Sequence, residues 1–407
     1  MPLPLSHIRV LDLSRVLAGP LATQFLADMG ADVIKVERPK GGDDTRHWGA
    51  PFAVPGKDGI AGISGYFMCV NRGKRSVTID ITSERGQQLL RGLAARCDVM
   101  IENFKVGGLK KYGLDYTSVR AINPGIVYCS ITGFGQTGPY AHRAGYDFVA
   151  QGMGGLMSVT GGPADQPGGE PMKVGVAISD EMSGLNALAG ILSALVRRER
   201  TGEGARIEVA LLDSTVAALI NQASDYLVTG EVPQRRGNAH PTIVPYEAFP
   251  TADGHIILAV GNDGQFARFC AAAGLDELAT DERFSTNPQR IANRAELVRL
   301  LTDRLTRESS AYWIGLLESR AVPCGPINNL QQVFEDPQVR ARELRRELTA
   351  GRSAPLPSVA NPVRIEGEDT TAAKAPPLLG EDTDAVLTDV LGLSVSEVEK
   401  LRRDGIV

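Results

Sequence analysis

Apolar positions in the first third of the chain fall into two alternating rhythms. Short apolar runs at Ile8-Arg9-Val10-Leu11-Asp12-Leu13 and Asp32-Val33-Ile34-Lys35-Val36-Glu37 have strand character, and Ala18 to Met29 between them is spaced as a helix. This strand–helix–strand unit recurs as strand Ser76 to Ile81, helix Glu84 to Cys97, strand Asp98 to Glu102, helix Tyr116 to Ile122 and strand Gly125 to Ile131. Such alternation predicts a Rossmann-like α/β domain, a parallel sheet with helices on both faces. A glycine-rich stretch, Gly152 to Gly175, leads to a long helix over Glu181 to Arg200, with Leu185, Leu188, Ile191, Leu192, Leu195 and Val196 at helical spacing. Thr201-Gly202-Glu203-Gly204 ends it. Strand Arg206 to Ala210 and a helix from Ser214 to Val228 follow.

The texture changes after a turn-rich linker, Gly230 to Pro245. Glu247-Ala248-Phe249 and His255 to Val260 read as a hairpin about Ala252-Asp253-Gly254, followed by helices over Phe266 to Ala273, Arg294 to Leu305 and Ala311 to Ser319. This predicts a smaller α+β domain over 246–325, after a large domain over 1–228. A chain of 407 residues exceeds what one core sustains, roughly 250–300 residues, so two domains are expected. Beyond 326 the pattern is loop-rich, notably Pro355 to Pro377, with terminal helices over Thr383 to Leu391 and Ser396 to Arg403.

Composition narrows the partners. With 43 basic against 48 acidic residues and no long run of like charge, nucleic acid is a poor partner. Met1 to His7 lacks the pattern of a secretory signal, and no apolar run approaches the roughly 20 residues that span a bilayer, so a cytoplasmic protein is expected. Five scattered cysteines form no CxxC pair, and five histidines form no i, i+4 pair, so no bound metal is expected.

Three segments could carry chemistry. Ser14-Arg15-Val16-Leu17-Ala18-Gly19-Pro20 begins a helix beyond the carboxyl end of a strand, where free N–H groups suit an anion, although the sequence is not GxGxxG. Glu37 ends the second strand where a dinucleotide fold places its ribose ligand, but Arg38 follows, which suits phosphate. Asn71-Arg72-Gly73-Lys74-Arg75 is a basic cluster. With Glu102-Asn103-Phe104, Lys110 and Lys111, it is expected on the same sheet rim, where together they would hold a phosphorylated nucleotide; a solvated loop is the plainer alternative. Finally, Ser179 or Asp180 reads as the N-cap of the long helix, and the helix dipole there would favour the charged form of a nucleophilic carboxylate.

These segments, together with Ala31 to Glu37, Gly133-Phe134-Gly135-Gln136-Thr137-Gly138-Pro139, Gly145-Tyr146-Asp147 and Ile178-Ser179-Asp180, resemble the family III CoA-transferases, the CaiB/BaiF family. The resemblance runs through nearly the whole chain. It implies a large domain completed by residues 326–407, a small domain between, and two interlocked chains in a homodimer. It makes Asp180 the nucleophile and Arg15, Val16, Ala18, Arg38, Arg72, Lys74, Arg75, Asn103, Phe104, Lys111 and Tyr146 contacts of coenzyme A. Many relatives carry glutamine where this chain has Leu17. Relatives that use oxalate have a glycine run in the small-domain loop that here reads Gly237-Asn238-Ala239-His240-Pro241-Thr242-Ile243. Either His240 and Arg236 meet the second carboxylate of a small dicarboxylic acid, with a donor such as succinyl-CoA, or the loop is a solvated linker whose arginines face water. The alternatives are a racemase of the same family, a nicotinamide-dinucleotide oxidoreductase and a non-catalytic CoA-binding protein. The racemases carry histidine where this chain has Gly145-Tyr146-Asp147, and a neutral tyrosine is a poor base for an α-proton.

Overall fold

Buried strands of alternating facing build the larger of two units. In a computed structural model, which describes residues 2–57, 59–349 and 354–407, they are β1 (Arg9–Asp12), β2 (Asp32–Glu37), β3 (Arg75–Thr78), β4 (Val99–Glu102), β5 (Val127–Thr132) and β6 (Ala205–Ala210). All neighbours pair in parallel, in the order β3-β2-β1-β4-β5-β6, as the βαβ pattern predicts. Successive residues serve opposite faces. Leu11, Ile34, Met100 and Tyr128 pack on one side with helix α2 (Glu84–Ala94) and helices Thr383–Asp389 and Val395–Arg403 near the chain's end. Val10, Val33, Val99 and Val127 pack on the other with α1 (Ala18–Asp28). Burial on both faces explains the apolar residues at the middle of the central strands, such as Val10-Leu11 and Val33-Ile34.

Residues near the end of the chain finish this unit. Ser76 and Thr78 of the edge strand β3 donate backbone N–H groups to Asp382 and Thr383 at 2.9 and 3.1 Å, and Asp382 N–H returns to the carbonyl of Ser76. Asp28 accepts from Arg72, from Asn361 Nδ2 and from the N–H of Ala372. The unit comprises Met1–Leu156, Val174–Val228 and Pro337–Val407.

The second unit comprises Met157–Lys173 and Thr229–Asp336. Its antiparallel sheet has strand His255–Ala259 between Tyr246–Pro250 and Cys324–Pro326. Ile256 and Leu258 face a core with Phe249, Phe266, Phe269, Trp313 and Leu301. The expected helix from Ser214 to Val228 is two helices, Leu211–Ala217 and Ile220–Thr229, broken where Ile220 takes φ 45°.

Candidate active site

The strand order reverses between β1 and β4, so the loops leaving their carboxyl ends diverge and open a crevice, the usual ligand position in an open α/β sheet. Asn103 closes its floor: its side-chain oxygen accepts the N–H of Arg15 at 3.0 Å and its amide donates to the carbonyl of Arg15 at 2.7 Å. Lys35, fully buried, donates to the carbonyl of Ser14 at 3.0 Å. Next comes Val16 at φ 72°, a conformation uncommon for a β-branched residue.

Two close approaches bring Asp180 to this turn. Helix α5 (Ile178–Thr201) crosses the start of α1 at Gly184, where a β-carbon would lie 2.7 Å from the carbonyl oxygen of Ala18. Asp180 is one helical turn earlier, on the same side. Gly133, after β5, touches Gly145 so tightly that a β-carbon on either would meet the other's α-carbon at 2.4 Å or less. That crossing puts Tyr146 on the crevice wall, and Asp147 opens helix α4 (Asp147–Met153).

Neither Ser179 nor Asp180 is the cap of α5. The cap position is Ala177, whose side chain offers no acceptor, and Asp147 supplies it instead: one of its oxygens accepts Ser179 N–H at 2.8 Å and Asp180 N–H at 3.3 Å. Burial first, and the Asp147 charge second, push the Asp180 carboxyl up to about 7. The expectation that the helix start favours the charged form is thereby reversed, since desolvation and a like charge both oppose it.

Arg15, Val16, Ala18, Asn103, Phe104, Tyr146 and Asp180 line one cleft of about 230 Å³, with Leu17, Asp44 and Arg143 also on its wall. The Arg15 guanidinium lies 5.3 Å from the centre of the Phe104 ring and 3.3 Å from Asp44, and its Nε is buried without an acceptor among the described residues. Arg38 joins Asp44 at 2.6 Å and lines an adjoining recess that shares Arg15 and Phe104. Arginine over an aromatic ring, with an unused N–H, suits a phosphorylated ligand carrying a base.

The basic cluster lines neither the cleft nor the recess, unlike the rim position expected of it: its charges are taken up within the fold. Arg72 is buried against Asp28, Lys74 is fully buried against Asp12 at 3.2 Å, and Arg75 pairs with Asp32, the first residue of β2. Burial pulls the Lys74 ammonium down to about 8 despite the neighbouring Asp12. Lys111 is exposed, its ammonium 4.7 Å from the ring of Tyr112. Glu37, at the ribose position of a dinucleotide fold, is buried and bound by Arg46 through both oxygens at 2.7 Å and by Ser76. It has no capacity left for a ribose. In the glycine-rich stretch that begins at Gly152, the backbone N–H groups of Gly154 and Gly155 bond to the carbonyls of Ala150 and Gly152.

His240 and Arg236 belong to the second unit. The His240 ring lies 5.2 Å from that of Tyr246, and its Nδ1 accepts the Thr242 N–H at 3.2 Å, so the neutral ring carries its proton on Nε2. Arg294 donates to the carbonyls of His240 and Pro241. Arg236 is exposed, whereas Arg235 is spent on the carbonyls of Gly162 and Gly169.

The sequence reading missed the capping role of Asp147, the pair Asp43–Asp44, and Trp48 packed edge-on against Tyr66 at 5.2 Å. Burial, and then the charges of Asp180 and Asp147 among others, push the Tyr66 phenol up to about 12, so Tyr66 stands in the field of both carboxylates. One signal for the Asp43 partnership was available: Lys35 within a buried strand must find an anion. Among the described residues, no group of three or more His, Cys, Asp or Glu could hold a metal, and no helix is long and apolar enough to cross a membrane.

Comparison with known proteins agrees with this geometry. The sequence model of CoA-transferase family III matches residues 5–383. The chain is 50% identical over 387 residues to succinate–glutarate CoA-transferase of Agrobacterium fabrum, covering 95% of this chain and 96% of that one. It is 45% identical to succinyl-CoA:glutarate CoA-transferase of Mus musculus, over 99% of this chain and 90% of that one. A crystal structure of a CaiB/BaiF family protein from Brucella suis superposes with a TM-score of 0.84 at 48% identity, covering 96% of this chain and 100% of that one.

Proposed function

This chain belongs to CoA-transferase family III, and we propose that it moves coenzyme A from succinyl-CoA to a small dicarboxylic acid such as glutarate, with Asp180 as the covalent nucleophile. The observation that carries the reading is Asp180 itself, on the wall of a cleft that also holds Arg15, Asn103 and Phe104. An Asp180 oxygen attacks the thioester carbonyl, the C–S bond breaks, and a mixed anhydride and CoA thiolate result. The thiolate attacks the aspartyl carbonyl, expels the first acid as its carboxylate and leaves an aspartyl-CoA thioester. The incoming carboxylate attacks that thioester and again expels CoA thiolate. The thiolate then attacks the acyl carbonyl of the new anhydride, releasing the new acyl-CoA and the Asp180 carboxylate. One thioester is exchanged for another, so no external energy source enters.

Arg15, Val16, Ala18, Asn103, Phe104 and Tyr146, with Arg38 beside them, are the proposed CoA contacts. Arg15 and Arg38 offer charge to the phosphates. Arg72, Lys74 and Arg75 are left out because their charges are committed within the fold, and Lys111 because it is on neither wall. His240, with Nε2–H free to donate, and Arg236 are proposed to recognise the distal carboxylate of the acceptor. The names of the relatives quoted above support a five-carbon diacid. We further propose a cytoplasmic homodimer, supported by the exposed apolar residues Ile220, Leu227 and Val228 along one helix; light scattering on the purified protein tests it.

The test is transfer by Asp180→Ala, with hydroxylamine trapping in the wild type. Transfer is expected to be abolished while CoA binding survives, and the trapped adduct should map to Asp180. Normal transfer by the variant removes Asp180 from the mechanism. Succinate, glutarate and itaconate are then compared with butyrate as acceptors, in the wild type and in His240→Ala and Arg236→Ala. Equal use of butyrate, or an unchanged preference in both variants, ends the second-carboxylate assignment.

A further inference from the structure

Val16 is the strained point of the cleft wall. At φ 72° a β-branched residue is strained and persists only where its surroundings over-determine it. Its N–H is aimed between the two carboxylate oxygens of Asp43, at 3.3 Å from each. Asp43 is paired with Lys35 at 2.9 Å, both side chains fully buried. The same ammonium donates to the carbonyl of Ser14 at 3.0 Å. One ion pair therefore grips the backbone on either side of Arg15.

Burial opposes the Asp43 charge, yet Lys35 and the N–H of Thr45 hold its carboxyl down at about 2, so it is an anion throughout the working range. Withdrawing two charges from water costs several kcal/mol per ion, and apolar residues of similar volume often replace such a pair without loss of stability. A buried pair turned onto a strained turn is therefore better explained by geometry than by stability. Asp43 lines the adjoining recess with Arg38 and not the cleft that holds Asp180, whereas Val16 and Ala18 line that cleft.

We propose that Asp43, clamped by Lys35, is a positioning residue for CoA transfer: it holds Val16 in the left-handed conformation that sets the Arg15–Ala18 turn beside Asp180. The proposal rests on the transferase reading with Asp180 as nucleophile. Its test compares Asp43→Asn, the double variant Asp43→Asn/Val16→Gly, Asp28→Asn and Asp180→Ala, each assayed well below its own Tm. Asp43→Asn is expected to lower kcat by at least roughly tenfold, about 1.4 kcal/mol of barrier. Glycine enters positive φ without restraint, so adding Val16→Gly is expected to recover a substantial part of that loss. Asp28→Asn, which breaks the buried Arg72 pair elsewhere, is expected to lower Tm and leave kcat unchanged. If Asp43→Asn does not accumulate folded, Asp43→Glu replaces it: the charge stays opposite Lys35, the carboxylate moves by one methylene, and the same loss and glycine recovery are expected. A wild-type kcat in the Asp43 variant, an equal kcat loss in Asp28→Asn, or no recovery by glycine overturns the proposal. The Asp180→Ala arm separates the two readings: transfer surviving there sinks the nucleophile, whereas transfer lost there but normal in the Asp43 variant sinks Asp43 alone.

Discussion

Asp147 accepts the backbone N–H of Asp180 at 3.3 Å, so the carboxylate that caps the helix is also the one whose charge bears on the proposed nucleophile. Capping and charge can be separated, because an asparagine oxygen still accepts N–H groups but carries no charge. With Asp180 titrating at about 7, kcat/KM of the wild type should climb with pH through neutrality as the carboxylate forms. In Asp147→Asn the acid limb should move to lower pH. It should remain above the ordinary carboxylate range, because burial is the larger cause and stays. A pH–rate profile of both proteins decides it, and an unmoved limb refutes the coupling.

The same shift affects folding. The folded-state pKa of Asp180 is raised above the unfolded value near 3.8, so the protonated form is preferred in the folded chain. At pH below 3.8 both states bind the proton and nothing is lost. Between 3.8 and about 7 the unfolded chain gives up its proton more readily, and stability falls until the full penalty stands above 7. Asp180→Asn, which has no charge to desolvate, should therefore gain Tm over the wild type at pH 8 and gain less at pH 5. Equal gains at both pH values would mean that the carboxyl is not perturbed.

Gly184 sets the approach of α5 to α1, and an added β-carbon would meet the carbonyl of Ala18 at 2.7 Å. Overpacking of this kind costs roughly 1–3 kcal/mol, and here the relief is to move Asp180 away from the turn. Gly184→Ala should keep its fold by circular dichroism and lose at least roughly tenfold in kcat, since small misplacements of reacting groups are costly.

Arg15 and Arg72 should respond in opposite ways. Arg15→Ala removes a charge on the cleft wall and should raise KM for acyl-CoA about tenfold or more, the equivalent of a charge-assisted hydrogen bond of ~1.5–3 kcal/mol, with little change in Tm. Arg72→Met strands the buried Asp28 and should cost ~3–5 kcal/mol of stability while leaving KM near that of the wild type. A raised KM for Arg72→Met returns that arginine to the CoA site.

Much of the large unit could be read from sequence because short strands with apolar centres alternate with helically spaced segments; strand Asp32–Glu37 and helix Tyr116–Ile122 fall where the pattern puts them. The motifs single out Asp180 and the Arg15 turn, and the fold brings both to one cleft. Asp147 as a cap was not, because it comes from 33 residues upstream of the N–H it accepts, beyond any local capping rule. The basic cluster misled because charge spacing says nothing about which charges the fold itself takes up: Arg72, Lys74 and Arg75 pair with Asp28, Asp12 and Asp32. The break at Ile220 has no glycine or proline to announce it.

The edge strand β3 is shielded by Asp382 and Thr383, and Asp28 waits for Asn361 and Ala372. On the ribosome these partners emerge after every strand of the sheet and after the whole second unit. Until then the nascent chain carries an open sheet edge, the kind of surface through which chains aggregate. Solubility during synthesis therefore depends on the final segment, and trimming it should send the protein into inclusion bodies rather than yield an enzyme with weaker activity.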